Sequence, residues 1–178
     1  MRGGILLVAL ASALVGAPMS AGAASDIWHS AAGPDGIMRY SCDDACAQTQ
    51  VICVHEVIPE PGPGRVEDLV DEALVPWGQI DFSVAARIAG DRENLAGAGK
   101  IVDGKRIEGP AVVSFGGSEW ASARYAMESK GGGLAAQFLL WRPAEGVATL
   151  LCSHKAGVDD AGAEVAIRQL AESLRLTP

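Results

Sequence analysis

Long apolar runs are scarce in this chain of 178 residues. Residues 5–15 form the longest, and it falls short of the roughly eighteen residues that a membrane-crossing helix needs, so no segment is expected to stay inserted in a bilayer. Positive charge is also in short supply. Fourteen Lys and Arg stand against 22 Asp and Glu, a formal charge of -8, which argues against nucleic acid and anionic membrane surfaces as partners. No His-Glu-x-x-His and no Asn-x-Ser/Thr occurs. Gly97-Ala98-Gly99-Lys100 lacks the Walker spacing and its Ser/Thr, and Gly116-Gly117-Ser118 lacks the second glycine of a nucleophile elbow; both read as turns. No nucleophile, base and orienting group assemble from what is written, so an enzyme is the least supported class and no catalytic residue is assigned.

What is present begins with an export signature. Arg2 supplies the positive start, residues 5–15 the short apolar core, and Ala21-Gly22-Ala23 the small-residue cleavage pattern. Residues 1–24 are therefore expected to be a cleavable signal peptide, residues 25–36 a loose N-terminal arm, and residues 37–178 a single domain located in the periplasm or secreted. Cys42 lies too far from the cleavage region to carry a lipoprotein's lipid. About 150 residues remain, enough for one core.

Within the domain, residues 37–42 and 48–57 are strand-like and joined tightly through Asp43-Asp44-Ala45, a candidate hairpin. Pro59, Pro61, Gly62, Pro63 and Gly64 forbid regular structure after it. Val66, Leu69, Val70, Ala73 and Leu74 recur at helical spacing, with Glu67, Asp68, Asp71 and Glu72 on the other side, so residues 65–75 are expected to be an early amphipathic helix stopped by Pro76. Phe82, Val84, Ala86 and Ile88 alternate as in a strand, and residues 90–99 read as a polar loop. Asp103-Gly104 predicts a hairpin turn within 101–107. Strands at 111–115, 120–128, 134–142 and 147–154 follow as a meander. A second helix at 161–174 is capped by Asp159 or Asp160, carries an apolar stripe of Ala163, Ile167, Leu170 and Leu174, and pairs Glu164 with Arg168. The pattern is α+β: a curved antiparallel sheet of about six or seven strands, covered on one face by an early and a C-terminal helix.

Four cysteines, Cys42, Cys46, Cys53 and Cys152, allow three pairings, and an exported protein oxidises them. If the second strand reaches back to Cys46, then Cys46 and Cys53 face opposite sides, whereas Cys42 and Cys46 flank one turn. Cys42–Cys46 and Cys53–Cys152 are the expected bridges, the second worth about 4–5 kcal/mol at most in the chain-entropy model. Cys53-Val54-His55 and Cys152-Ser153-His154 also form two Cys-x-His pairs. If their strands are neighbours, two sulfurs and two imidazoles converge into a set that copper or zinc accepts, and Cys53, His55, Cys152 and His154 are the alternative metal site. Oxidation removes both thiolates, so a metal is not the favoured reading and no cofactor is expected. His29 falls in the arm, and the acidic face of residues 67–72 reads as solvated. Trp77, Trp120 and Trp141 are candidates to line a pocket, but Trp120 and Trp141 have strand neighbours and read as core or sheet-surface residues rather than a ligand platform.

The order of hairpin, Val66 helix, Phe82 strand, meander ending Ala148-Thr149-Leu150-Leu151-Cys152, and closing Ile167-Arg168-Gln169-Leu170 helix resembles the PsbP-like family of exported accessory proteins, over roughly residues 37–176. That resemblance implies an α/β/α or two-layer sandwich and a non-enzymatic role binding a protein or a metal ion. The functional expectation is an exported binding or accessory protein that recognises a protein partner, an immunity protein against a secreted toxin being one form. The alternative is a copper- or zinc-handling protein.

Overall fold

A computed structural model describes residues 27–33, 37–42, 46, 48–59, 64–95, 101–129, 131–143 and 146–176. The expected signal peptide, the Asp43-Asp44-Ala45 link and the 97–100 loop lie outside these. One antiparallel sheet of seven strands dominates, in the spatial order β1-β2-β3-β7-β6-β5-β4. The strands are β1 (Trp28–Ala32), β2 (Met38–Cys42), β3 (Ile52–Pro59), β4 (Ile101–Phe115), β5 (Ser118–Ser129), β6 (Gly132–Trp141) and β7 (Gly146–Lys155). Helix α1 (Trp77–Leu95) separates β3 from β4, and α2 (Asp160–Leu176) closes the chain.

Chain order explains the layers. After β3 the chain crosses the sheet through α1 to its far edge, then returns strand by strand from β4 to β7, which pairs with β3. The crossing occupies one face and leaves the other for α2. Residue parity shows this: Ala121, Ala123, Tyr125, Leu134, Ala136, Phe138, Leu140 and Leu151 pack with Trp77, Val84 and Ile88 of α1. Trp120, Leu139, Trp141, Leu150 and Cys152 point the opposite way, toward Ala163, Ile167 and Leu170 of α2. The helices thus cover opposite faces, not one face as the sequence reading expects, because β5, β6 and β7 carry apolar side chains on both sides and neither face tolerates water.

Several elements differ from expectation. Residues 65–75 do not form an α-helix; they make a single 3-10 turn (Val66–Leu69) followed by turns, with Leu69 buried and Leu74 65% exposed. Asp71 breaks the helical ladder by accepting the Ala73 N–H on its own side chain at 2.9 Å, an Asx-type competition. Pro76 starts a helix rather than ending one: its carbonyl accepts from the N–H groups of Gln79 and Ile80. The alternating 82–88 stretch therefore lies within α1, as do residues 90–95 of the expected loop. Two elements that carried the PsbP-like resemblance, the Val66 helix and the Phe82 strand, are absent in that form.

Residues 28–32 of the expected arm are an edge strand paired with β2, closed by the Gly33 N–H donating to Ile37 O at 2.9 Å. Asp103-Gly104 makes no turn, since β4 runs through it and places Asp103 opposite Glu128 and Gly104 opposite Met127. The two-residue turn is Gly116-Gly117, with φ of 59° and 71°, between Phe115 and Ser118. The hairpin of β2 and β3, the meander from β5 to β7 and α2 stand where the sequence places them.

Candidate functional site

On the α1 face the helix lies chiefly against β4 and leaves a gap beside β6, β7 and β3, beneath which Phe138, Leu140, Val147 and Thr149 are still largely buried. A cleft of about 800 Å3 occupies this gap. Its floor is sheet: Phe138 and Leu140 from β6, Val147 and Thr149 from β7, and Ile58 from β3. Its wall is Ile80, Ser83 and Arg87, which fall on one side of α1 by their spacing of three and four. Leu69, Leu74, Val75 and Pro76 close one end. That end exists because the 65–75 segment is turned rather than helical. Apolar side chains dominate the lining, and Leu74 and Ile58, 65% and 47% exposed, stand at its rim.

Three charged groups reach the lining. Arg87 donates to Glu56 Oε2 at 2.9 Å, joining α1 to β3. Arg142, just past the end of β6, lies against Gly64 so closely that a Cβ there would meet its guanidinium carbon at 2.4 Å. Asp68 accepts the backbone N–H of Arg65 at 2.9 Å in a capping arrangement. The hydroxyl of Ser83 donates to Ile80 O at 2.9 Å and that of Thr149 to Glu56 O at 3.5 Å.

The clamp that holds α1 lies on its other side. Tyr125 of β5 donates its hydroxyl to Asp81 Oδ1 at 2.9 Å, and burial together with that hydrogen bond pushes the phenol pKa well above its ordinary value. Arg106 reaches Asp81 at 3.5 Å and Glu72 at 3.0 Å and sits over the Trp77 ring. Trp77 donates to Leu69 O at 3.0 Å. The acidic run at 67–72 is thus partly consumed by Arg65 and Arg106.

The cysteines take a different place. Cys42 is bonded to Cys46 and Cys53 to Cys152, with both sulfurs of the second bridge in the core against α2. Parity did not separate Cys46 from Cys53, for β3 begins at Ile52 and Cys46 sits in a turn, its carbonyl accepting from Thr49 and Gln50. Cys53 and Cys152 are opposed across β3 and β7, so the two Cys-x-His pairs share a face but run outward in opposite directions. His55 lies opposite Leu150, two positions from the bridge, and stacks on Trp141. His154 is buried at the other end, 3.6 Å from Asp160. The bridge joins the sulfurs to each other and the imidazoles diverge. Among the described residues no group of three or more His, Cys, Asp or Glu is placed to hold a metal ion.

His29 is on β1. Trp120 and Trp141 pack edge to face at 5.0 Å on the α2 side, Trp77 meets Phe138 beneath α1, and none of the three lines the cleft. The sequence reading missed Arg87, Arg142 and Ser83. The Ile80, Ser83, Arg87 spacing was the available signal, hidden by the strand-like alternation of the same segment.

No protein-family model matches the chain, and no curated protein matches it. Solved structures to which it is similar include the STAR-related lipid transfer protein fragment from Xanthomonas axonopodis, at 12% identity and a TM-score of 0.34 over 83% of this chain and 92% of that one. Another is CalU16 from Micromonospora echinospora, at 14% identity and a TM-score of 0.26 over 85% and 83%.

Proposed function

We propose that this chain is an exported, disulfide-braced, non-enzymatic binding protein whose cleft beneath α1 takes a small, largely apolar ligand. The cleft carries the reading: about 800 Å3, walled by one helix, floored by the buried face of three strands, and apolar except for a few placed polar groups. Its volume lies within the range of small-molecule sites, and its concavity favours a small ligand over the protein partner expected from the sequence. Export is supported by two disulfides, one fully buried, which reducing compartments do not sustain. The titratable groups of the lining, Asp68, Arg87 and Arg142, do not form a nucleophile and base.

The test is titration of the purified protein with phenylnaphthylamine, a neutral dye whose emission rises in apolar surroundings. Saturable binding by the native protein, lost in Ser83→Trp, is expected. Ser83 is exposed on the α1 wall, and an indole there would project into the cleft and obstruct it without entering the core. Native protein that leaves the dye dark, or a tryptophan variant that binds it unchanged, overturns the assignment.

A further inference from the structure

Resting on that reading, we infer that the ligand is an uncharged amphiphile whose hydroxyl head donates to the side-chain oxygen of Thr149 on the cleft floor. Among the described residues the charges at the cleft balance: Arg87, Arg142 and Asp68 lie in its lining, and Glu56 is bonded to Arg87. Each of them already has a partner. Arg87 is held by Glu56 at 2.9 Å, Asp68 accepts the Arg65 N–H at 2.9 Å, and Arg142 is engaged as well. A carboxylate head would have to share Arg87 with Glu56, and an ammonium head would find the lining's one carboxylate, Asp68, already turned to the Arg65 N–H. Either head gives up water beside apolar walls and gains no unspent countercharge, so a charged ligand is disfavoured.

The neutral polar group of the floor selects the head. Thr149 is buried, borders the cleft, and directs its hydroxyl hydrogen to Glu56 O in a long bond of 3.5 Å, so Oγ1 keeps its lone pairs as acceptors. Phe138, Leu140 and Val147 beside it suit an apolar body and offer it no hydrogen bond. The side chains of this floor thus present an acceptor and no donor. A hydroxyl answers that with its one hydrogen, whereas an amide would bring a carbonyl in need of a donor that these side chains lack.

Dodecanol, its methyl ether, dodecanoate and dodecylamine share one chain and differ in head, and each is scored by its displacement of phenylnaphthylamine at neutral pH. Dodecanol is expected to bind at least about ten-fold tighter than either charged amphiphile. Thr149→Val, which keeps the shape and removes the oxygen, is expected to lower the dodecanol-to-ether affinity ratio about three- to ten-fold, the worth of one neutral hydrogen bond. Thr149→Ala takes its place if the valine variant does not fold, and Thr149→Ser, which keeps the oxygen, is expected to keep the ratio. A charged amphiphile that binds as tightly as dodecanol while the dye is still displaced overturns the uncharged ligand and leaves the cleft standing. A ratio that loss of the Thr149 oxygen leaves unchanged, or that Thr149→Ser abolishes, overturns the hydroxyl contact. A native protein that binds neither the dye nor any of the four removes the binding cleft and this inference together.

Discussion

Arg87 of α1 and Glu56 of β3 meet at 2.9 Å beside the cleft, each about one-third exposed, and no other ion pair described joins that helix to that strand. Its position gives it more influence on access than on stability. An ion pair this wet contributes less than about 1 kcal/mol, so a double-mutant cycle of Glu56→Gln and Arg87→Gln is expected to show a coupling below that value in urea unfolding. Dye dissociation measured by stopped flow is expected to quicken in both single variants, since either one unties α1 from the β3 side of the cleft. Unchanged dissociation rates would show that the pair does not guard the cleft.

The two disulfides close loops of very different length, with sequence separations of 99 and 4. In the chain-entropy model the long bridge restrains the unfolded chain by about 4–5 kcal/mol and the short one by about 2 kcal/mol. Replacing Cys53 and Cys152 with alanine is therefore expected to cost about twice as much as the same change at Cys42 and Cys46, read from urea midpoints at a common slope. Equal losses would mean that packing against α2, rather than chain closure, is what the long bridge supplies.

Why some of this architecture was legible in the sequence, and some not, follows from where local pattern and tertiary demand agree. In α2 they agree: Asp159 caps the start by accepting the Gly162 N–H at 3.1 Å, and Ala163, Ile167 and Leu170 bury a single stripe. They also agree in the meander, where short turns separate strand-length runs that are apolar on both faces and buried almost throughout. They conflict from residue 65 to 88. Asp71 spends its side chain on a local turn, and the alternation of Phe82, Val84, Ala86 and Ile88 conceals the helical pair Val84 and Ile88; Phe82 ends 82% exposed on the outer surface of α1. The cleft is bounded by this misread segment and so was invisible, whereas the cysteines, constrained by one long-range strand pairing, were not.

Gly109 interrupts β4 where its register with β5 shifts, between Glu108 and Ala111. Its φ is 79°, and a Cβ would stand 2.4 Å from the main-chain carbonyl oxygen of Ser122. The neighbouring atom belongs to the backbone and cannot swing aside, so Gly109→Ala combines a disfavoured dihedral with a steric clash. A loss of at least about 1–3 kcal/mol is expected, seen as a lower thermal midpoint. Gly117→Ala is the comparison: it also has positive φ, 71°, but an added Cβ meets nothing within 4 Å, so its loss should be the smaller. Equal losses would show that the dihedral alone governs both sites.

His55 lies flat on Trp141, ring centroids 5.5 Å apart and planes 11° from parallel, with its Nε2 buried and lacking a hydrogen-bond partner. Burial lowers the imidazole pKa below its ordinary 6.5, because the imidazolium would lose water and gain no partner at Nε2. The sign of the linkage follows. Below the ordinary value the unfolded chain takes up a proton that the folded chain refuses, so stability from this residue is intact above about pH 7 and declines as pH falls through 6.5 toward the folded pKa. Urea midpoints taken from about pH 8 down to about pH 5.5 should fall in the native protein, and His55→Gln should flatten part of that fall, since glutamine has no proton to acquire there. A slope that persists in full in the glutamine variant would assign the acid sensitivity to other groups.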